Sequence, residues 1–378
     1  MTDPTPLYAM QRRERILDEL RRRGAVSVNA LAVQLAVSEL TVRRDINALA
    51  QQGLLTRVHG GATLRSPLDA AQRPAGAPMP PRYTIGMVVP SLDYYWPPIV
   101  HGARAQAAQL RASLLVRAST YDPRDHRRQA EALLKTPGLQ GLIVAPDTLG
   151  DEAMETLRWL DALPVPVVLA ERRVPTAAPV HRLDSVSTDH AAGAALAVRH
   201  LAEQGHARIG LFVGSDNPTG GAVRHGWSAA RDALGLPADV AVLDGIRFDG
   251  SGRDEAMDDA LALLRATGTT AVIVLPDPQA IALEQHAIDR GLRVPHDLAI
   301  VAYDDDVARF GDPALTAVRP PKEAVGRDAV GVLIARIDGG DDRPPYRVTL
   351  GPELHVRPST LPVTVEEDPP ALAEAEPA

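Results

Sequence analysis

Between residues 39 and 51 a period of about 100° per residue puts Val42, Ile46 and Leu49 on one stripe of a helix and Leu40, Arg43, Arg44 and Asn47 on the other. The apolar stripe can be buried against neighbours. The opposite stripe carries two guanidiniums and a carboxamide, which are planar donor groups: arginine can pair bidentately with guanine, asparagine with adenine, and both can hold phosphate oxygens. An arginine pair on one helix face is also what a solvated surface looks like, so the surroundings decide. Ser38 stands where the N-cap of this helix belongs. After Gly53 the run Leu54, Leu55, Thr56, Arg57, Val58, His59 predicts a short hairpin closed by Gly60 and Gly61, a wing that would hold Arg57 and His59 against a nucleic-acid backbone or minor groove.

A second chemistry is written farther along the chain. Asp93, Tyr94, Tyr95 and Trp96 directly follow an apolar run, and three of the chain's few aromatic residues (3 Phe, 3 Trp, 7 Tyr) are consecutive there. Three adjacent rings cannot all face one core, which leaves at least one for a surface or pocket; packing at a helix N-terminus is the competing reading. Rings beside a carboxylate suit a sugar or another polyol, whose apolar face stacks while its hydroxyls take polar contacts. Glu171 and Arg172 end another apolar run, Asp277 and Asp304 end two more, and Asp189 opens a helix. For Asp189 and Asp277 helix capping is an equal rival to ligand contact.

These side chains need elements to hold them. Three short helices fit the first 50 residues: one carries Ile16, Leu17 and Leu20 and stops at three arginines and Gly24, one lies within 28–35, and the third is 39–51. From residue 83 onward, short apolar runs alternate with amphipathic stretches, the pattern of βαβ units and a parallel sheet. Strands are expected at 84–89, 114–118, 141–145, 165–170, 209–213, 271–275 and 299–303. Helices are expected at 99–110, 124–134, 151–160, 190–203, 222–234, 252–265 and 277–290. So many strands fit two doubly wound sheets better than one, and ligands in such sheets sit at the carboxyl ends of the strands. The proline-dense stretch 64–82 reads as a linker, and the acidic, Pro/Ala-rich stretch 361–378 as a disordered tail. The expected division is 1–63, 64–82, 83–360 and 361–378.

The absence of cysteine excludes disulfides, thiolate metal sites, iron-sulfur clusters and a cysteine nucleophile. A net charge of −8 over 378 residues argues at first against a nucleic-acid partner, because phosphate attracts positive surface. Its distribution reverses the argument: through Ser66 there are ten arginines and six acids, a net of +4, and the remaining residues carry −12. No apolar run resembles a signal peptide or approaches the ~18 residues of a membrane span, so a soluble, cytoplasmic protein without a membrane partner is expected. The glycines of GLFVGSDNPTGG match no nucleotide fingerprint, and the scattered His and Asp residues lack metal spacing. No catalytic residue, cofactor or metal is expected.

The segment VSELTVRRDINALAQQGLLTRVHGGA resembles the winged helix-turn-helix of the DeoR (deoxyribose-operon repressor) family, over residues 12–62. That resemblance implies that Ser38, Thr41, Arg43 and Arg44 face DNA, that Arg57 and His59 lie on the wing, and that Asp45 orients an arginine. Residues 83–358 resemble instead the effector core of the LacI (lactose-repressor) family, related to periplasmic sugar-binding proteins. The likeness runs through IGMVVPSLDYYWPPIVHGARAQA, GLQGLIVAP, PVVLAERR, STDHAAGAALAVRHLAEQGHARIGLFVG, and LRVPHDLAIVAYDDD with LTAVRPPKEAVGRDAVGVLIARI. It implies an α/β fold in which the winged helix-turn-helix precedes a two-subdomain, periplasmic-binding-protein-like (type I) core of doubly wound parallel sheets, with a ligand cleft between the subdomains. Glu171 and Arg172 stand where relatives have an Asp-Arg pair that grips ligand hydroxyls, and Asp304 and Asp277 match two further contacts.

This sequence also departs from the pattern. The arginine of an R-x-x-G-aromatic motif is replaced by Val223, with Arg224 one place later, before Gly226 and Trp227, and amide-bearing positions are taken by Ala145, Pro276 and Pro320. A plain hexose is thereby put in question, and the carboxylates of Asp93, Glu171, Asp277 and Asp304 would tolerate an amine. The resemblance implies a ligand-responsive transcription regulator, in most relatives a repressor, acting as a homodimer on operator DNA with a sugar or polyol as effector. The rival is a cytosolic small-molecule-binding protein with no DNA role.

Overall fold

The structure is a computed structural model that describes residues 9–51, 55–58, 60–63, 80–120, 122–148, 152–175, 178–214, 217–246, 252–340 and 342–361. His59 of the expected wing, residues 64–79 of the expected linker and residues 362–378 of the expected tail lie outside them. The chain divides into two compact units, Met1–Met79 and Pro80–Ala378.

The first unit runs α1 (Ala9–Arg23), β1 (Ala25–Ser27), α2 (Val28–Leu35), α3 (Glu39–Gln51), β2 (Thr56–Val58) and β3 (Gly61–Thr63). Ile16 and Leu20 of α1, Leu31 and Leu35 of α2, and Val42, Ile46 and Leu49 of α3 share one core with Leu55 and Ala62. The Ser27 hydroxyl caps α2 by accepting the Ala30 N–H at 3.2 Å. The wing is a three-stranded antiparallel sheet of order β1-β3-β2, in which β1 joins the expected hairpin. A β-carbon at Gly61 would lie 2.0 Å from the Val26 carbonyl oxygen, so β3 can close on β1 only with glycine there.

The second unit contains β4 (Tyr83–Val89), α4 (Trp96–Gln109), β5 (Ala112–Ala118), α5 (Pro123–Leu134), β6 (Gly141–Val144), α6 (Glu152–Asp161), β7 (Val167–Ala170) and β8 (Asp184–Thr188). These are followed by α7 (His190–Glu203), β9 (Ile209–Gly214), α8 (Gly220–Ala233), β10 (Val242–Ile246), α9 (Arg253–Ala266), β11 (Ala271–Leu275), α10 (Asp277–Asp289), β12 (Ala299–Tyr303) and β13 (Thr316–Arg319). α11 (Lys322–Gly339), β14 (Arg347–Leu350) and β15 (Glu353–His355) complete it.

Two six-stranded sheets result, of order β14-β8-β7-β6-β4-β5 and β10-β9-β11-β12-β13-β15. Every pairing is parallel except that of β13 with β15. Helices cover both faces of each sheet, which is why strands such as β6, β7, β11 and β12 are apolar and buried at every residue. The chain crosses between the lobes three times: from β8 into α7, from β13 into α11, and from β14 into β15. α11 is buried on most of its circumference, by α4 and by the first sheet, so it lacks the one-sided apolar stripe of a surface helix. Among the described residues no helix is long and apolar enough to cross a membrane.

Candidate DNA interface and ligand cleft

On α3 the buried residues Val42, Ile46 and Leu49 turn inward while Leu40, Arg43, Arg44 and Asn47 are exposed. Ser38 opens the helix: its hydroxyl accepts the Thr41 N–H at 3.2 Å and lies 2.9 Å from the Thr41 hydroxyl. Arg43 reaches back one turn to Glu39 at 3.4 Å, an exposed pair of small energetic weight. Arg44 has no ion pair among the described residues. Asp45 is 2 % exposed and accepts from Arg12 Nε at 2.9 Å and Arg13 Nε at 3.1 Å. It therefore orients arginines of α1, not its neighbours on α3. Arg43 and Asn47 also line a concavity with Val28, Val58, Gly60 and Gly61, where α3 meets the wing turn. Arg57 lies on β2, beside that turn.

The second site forms at the carboxyl ends of the two sheets, where the loop after β4 meets the loop after β12. The Tyr94 hydroxyl donates to Asp304 Oδ2 at 3.1 Å, bridging the lobes. Burial, and then the neighbouring Asp277 carboxylate, push the Asp304 carboxyl well above the usual carboxylate range. Lys322, at the start of α11, donates to the Asp304 carbonyl at 2.7 Å, pairs with Asp306 Oδ1 at 2.7 Å, and sits 4.8 Å from the centre of the Tyr95 ring. Burial, and then the Glu171 carboxylate near its hydroxyl, push Tyr95 well above the usual phenol range.

Glu171 is buried at the end of β7, with φ of 54°, and binds the first crossing. It accepts the Thr188 N–H at 3.0 Å and hydroxyl at 2.7 Å, and lies 3.4 Å from His190 Nε2. Burial opposes its ionisation, but His190 and the Thr188 donors together outweigh that and hold its pKa below the ordinary value. On the far side of the imidazole, Nδ1 lies 3.2 Å from the Tyr303 hydroxyl of β12. The same Tyr303 hydroxyl donates to the His190 carbonyl at 3.1 Å.

Several expected ligand residues are engaged otherwise. Trp96 is 1 % exposed and packs in the core with Arg172 above its ring, so of the three consecutive aromatics only the tyrosines reach the cleft. Arg172 is buried and donates to the carbonyls of Pro146 and Glu171, both at 2.8 Å. Asp189 caps α7 through the Ala192 N–H at 3.0 Å. Asp277 accepts four backbone N–H groups, from Asp305, Asp306, Val307 and Ala308 at 2.6–3.2 Å, and thus shapes the loop that presents Asp304. Trp227 is a core residue whose indole N–H donates to the Ile209 carbonyl at 3.2 Å, and it has no open face for a ligand. Gly226 beside it is required by packing, since a β-carbon would meet the Ala191 carbonyl oxygen at 2.0 Å. Arg224 pairs with Asp244 of β10, and Asp93 is an exposed rim residue bonded to Ser91.

Sequence reasoning missed Lys322, His190 and Tyr303. One signal was available for the first: the chain has two lysines against 38 arginines, and one of them follows Pro320-Pro321. A compact ammonium fits the point between one carbonyl, one carboxylate and one ring better than a planar guanidinium does.

An N-terminal helix-turn-helix with a basic exposed helix, joined to a two-lobed core with a polar cleft, defines the class of HTH-type transcriptional regulators. Residues 12–67 match the DeoR-like helix-turn-helix domain, and residues 198–360 match the periplasmic binding protein-like domain. The HTH-type transcriptional regulator MalR of Streptomyces coelicolor is 30 % identical over 341 residues, covering 87 % of this chain and 95 % of that one. The structure of the transcriptional regulator CelR–cellobiose complex matches with TM-score 0.62 and 26 % identity over 85 % of this chain and 91 % of that one. A LacI transcriptional regulator from a Rhodococcus species matches with TM-score 0.62 and 26 % identity over 74 % of this chain and 99 % of that one. The chain belongs to the LacI family of transcriptional regulators, with a head of the DeoR-like type.

Proposed function

We propose that the protein is a repressor whose affinity for operator DNA is set by a small polar, sugar-like effector held between the two lobes. The observation that carries this reading is the link across the cleft: Tyr94 and Asp304 belong to different lobes and touch through one hydrogen bond of 3.1 Å. A polyol inserted there would replace that bond with its own hydroxyls, so its affinity for the open and closed lobes must differ, and a difference in affinity is what shifts a conformational equilibrium. Tyr94, Tyr95, Asp304, Lys322 and Glu171 are the residues assigned to the effector. Ser38, Thr41, Arg43, Arg44 and Asn47 are assigned to DNA, with Arg57 and His59 on the wing. The cellobiose complex of the CelR relative supports a saccharide class. The buried Asp304 carboxyl also favours a ligand that donates hydrogen bonds or carries an amine, because either would relieve its desolvation.

Two copies acting on two half-sites are part of this reading, since a single head offers few base contacts. Footprinting the full chain on DNA upstream of its own gene, with and without a panel of mono- and disaccharides, amino sugars and polyols, tests it. Protection of a pair of half-sites that one class of compound relieves is expected. Protection of no site would remove the DNA assignment, and protection that no compound alters would remove the effector assignment.

A further inference from the structure

Away from the cleft, at the outer edge of the first sheet, a pocket is lined by Arg173, Val174, Pro175, Ala178, Val180, Ser185, Ser187, Arg347 and Thr349. Side chains alternate along strands, and β8 and β14 are paired in register, Ser185 with Arg347 and Ser187 with Thr349. Four polar side chains therefore stand on one sheet face as a floor, and the segment after β7 supplies Arg173 and an apolar wall. Ser185 and Ser187 are each 3 % exposed, and what remains exposed of each opens onto this pocket. Hydroxyls on a pocket floor can donate to or accept from an occupant that enters it. Arg173 Nη2 donates to the Thr349 hydroxyl at 3.3 Å, and Arg347 donates to the Leu183 and Tyr346 carbonyls, so both guanidiniums are fixed at the rim with further N–H groups to offer.

No carboxylate is among the described residues that line the pocket. The two acids whose charge is felt at Arg347 are engaged elsewhere: Asp184 with Arg336 at 2.8 Å, and Asp161 with the backbone N–H groups of His181 and Arg182. Two guanidiniums and three hydroxyls exceed what a carboxylate's two oxygens require and match the three terminal oxygens of a phosphoryl group, for which arginine forks and hydroxyl donors are suited. We propose that this pocket is an anion site that takes a phosphoryl group, separate from the effector cleft. Its floor strands, β8 and β14, run directly into two of the three crossings between the lobes.

The test is calorimetric titration of the full chain, at ionic strength matched with sodium chloride, using inorganic phosphate and glucose 6-phosphate as probes and glucose as the control for the cleft. Saturable phosphate binding is expected, weakened about tenfold by Arg173→Gln combined with Ser187→Ala and unchanged by Arg44→Ala in the head. If Ser187→Ala lowers the melting temperature in the absence of phosphate, Arg173→Gln alone, an exposed side chain, carries the comparison with an expected loss of about threefold. Equal affinity for the two probes assigns the free anion, and tighter glucose 6-phosphate binding that Arg173→Gln abolishes assigns a phosphorylated metabolite; each supports the site. No saturable binding below about 10 mM, equal binding by parent and variants, or loss of the response in Arg44→Ala would overturn it.

Discussion

The head and the ligand cleft of the body differ in what meets their buried carboxylates. In the head, Asp45 and Glu19 are each about 2 % exposed, and each is held by two arginines: Arg12 and Arg13 for the first, Arg22 and Arg23 at 2.5 Å for the second. In the body, Asp277, Asp304 and Glu284 are as deeply buried but are met by backbone N–H groups or a tyrosine hydroxyl. Burial pushes Asp277 up to about 6 and Glu284 up to about 7. The head thus uses four of its arginines to neutralise its own core and leaves Arg43 and Arg44 on the outside, where they can meet phosphate. In the body Asp184 and Asp305 are likewise paired with arginines, but Asp277 and Asp304, beside the cleft, are not. Net charge differs between the units, and so does the countercharge offered to these particular carboxylates.

The largest effect is expected from Asp45→Ala. Removing the partner of two arginines that bind α1 to α3 should destabilise the head by about 3 kcal/mol, seen as an earlier melting step of the head and loss of DNA binding. If the head melts unchanged, the arginine pairing is not what holds α1 on α3. Next, Arg44→Ala should weaken operator binding by about 2 kcal/mol with the melting curve unaltered. Unchanged binding in a gel-shift titration would move the DNA contact off this face of α3.

Glu284→Gln probes the other half of the comparison. With the folded pKa raised, the stability this carboxyl contributes is fully present below about pH 4.5 and is lost as pH rises to about 7, because the unfolded chain ionises first. The variant should therefore match the parent near pH 4 and exceed it by about 2 kcal/mol at pH 8, measured by urea unfolding at both values. Equal differences at the two pH values would show that Glu284 does not carry the burial cost. The smallest effect on fold is expected from Asp304→Asn, within about 1 kcal/mol by the same unfolding measurement, with DNA affinity kept. The response to effector should nevertheless disappear, and a response at parental concentration would place Asp304 outside the site.

Much of the framework was legible because burial follows apolar content. The 100° period separated the two faces of α3, and every strand expected from an apolar run is present. The strands that escaped notice fail that rule. β8 reads Asp-Ser-Val-Ser-Thr yet is buried throughout, because Asp184 is paired with Arg336, Thr188 with Glu171, and the two serines floor a cavity. α11 escaped for the opposite reason: buried on several sides, its sequence shows no polar stripe to set its period. In the cleft, the residues after β4, β7 and β12 were found from their position at strand ends, and the structure brings Tyr94, Tyr95, Glu171 and Asp304 together there. Whether such a residue points outward, caps a helix or shapes a loop was not legible, as Asp189, Asp277 and Trp227 show, since that depends on partners far away in sequence. Lys322 and His190 became visible only when the crossings brought them between the lobes.

Those three crossings have a consequence for how the molecule is made. β14 finishes the edge of one sheet and β15 the edge of the other, and α11 covers the first sheet from residue 322 onward. Neither lobe is therefore a contiguous stretch that can close while the ribosome is still adding the last strands. The head, whose buried core runs from Ile16 to Ala62, can fold as soon as it emerges. During synthesis a finished DNA-reading head is thus tethered to a body that stays open until its final strands are released.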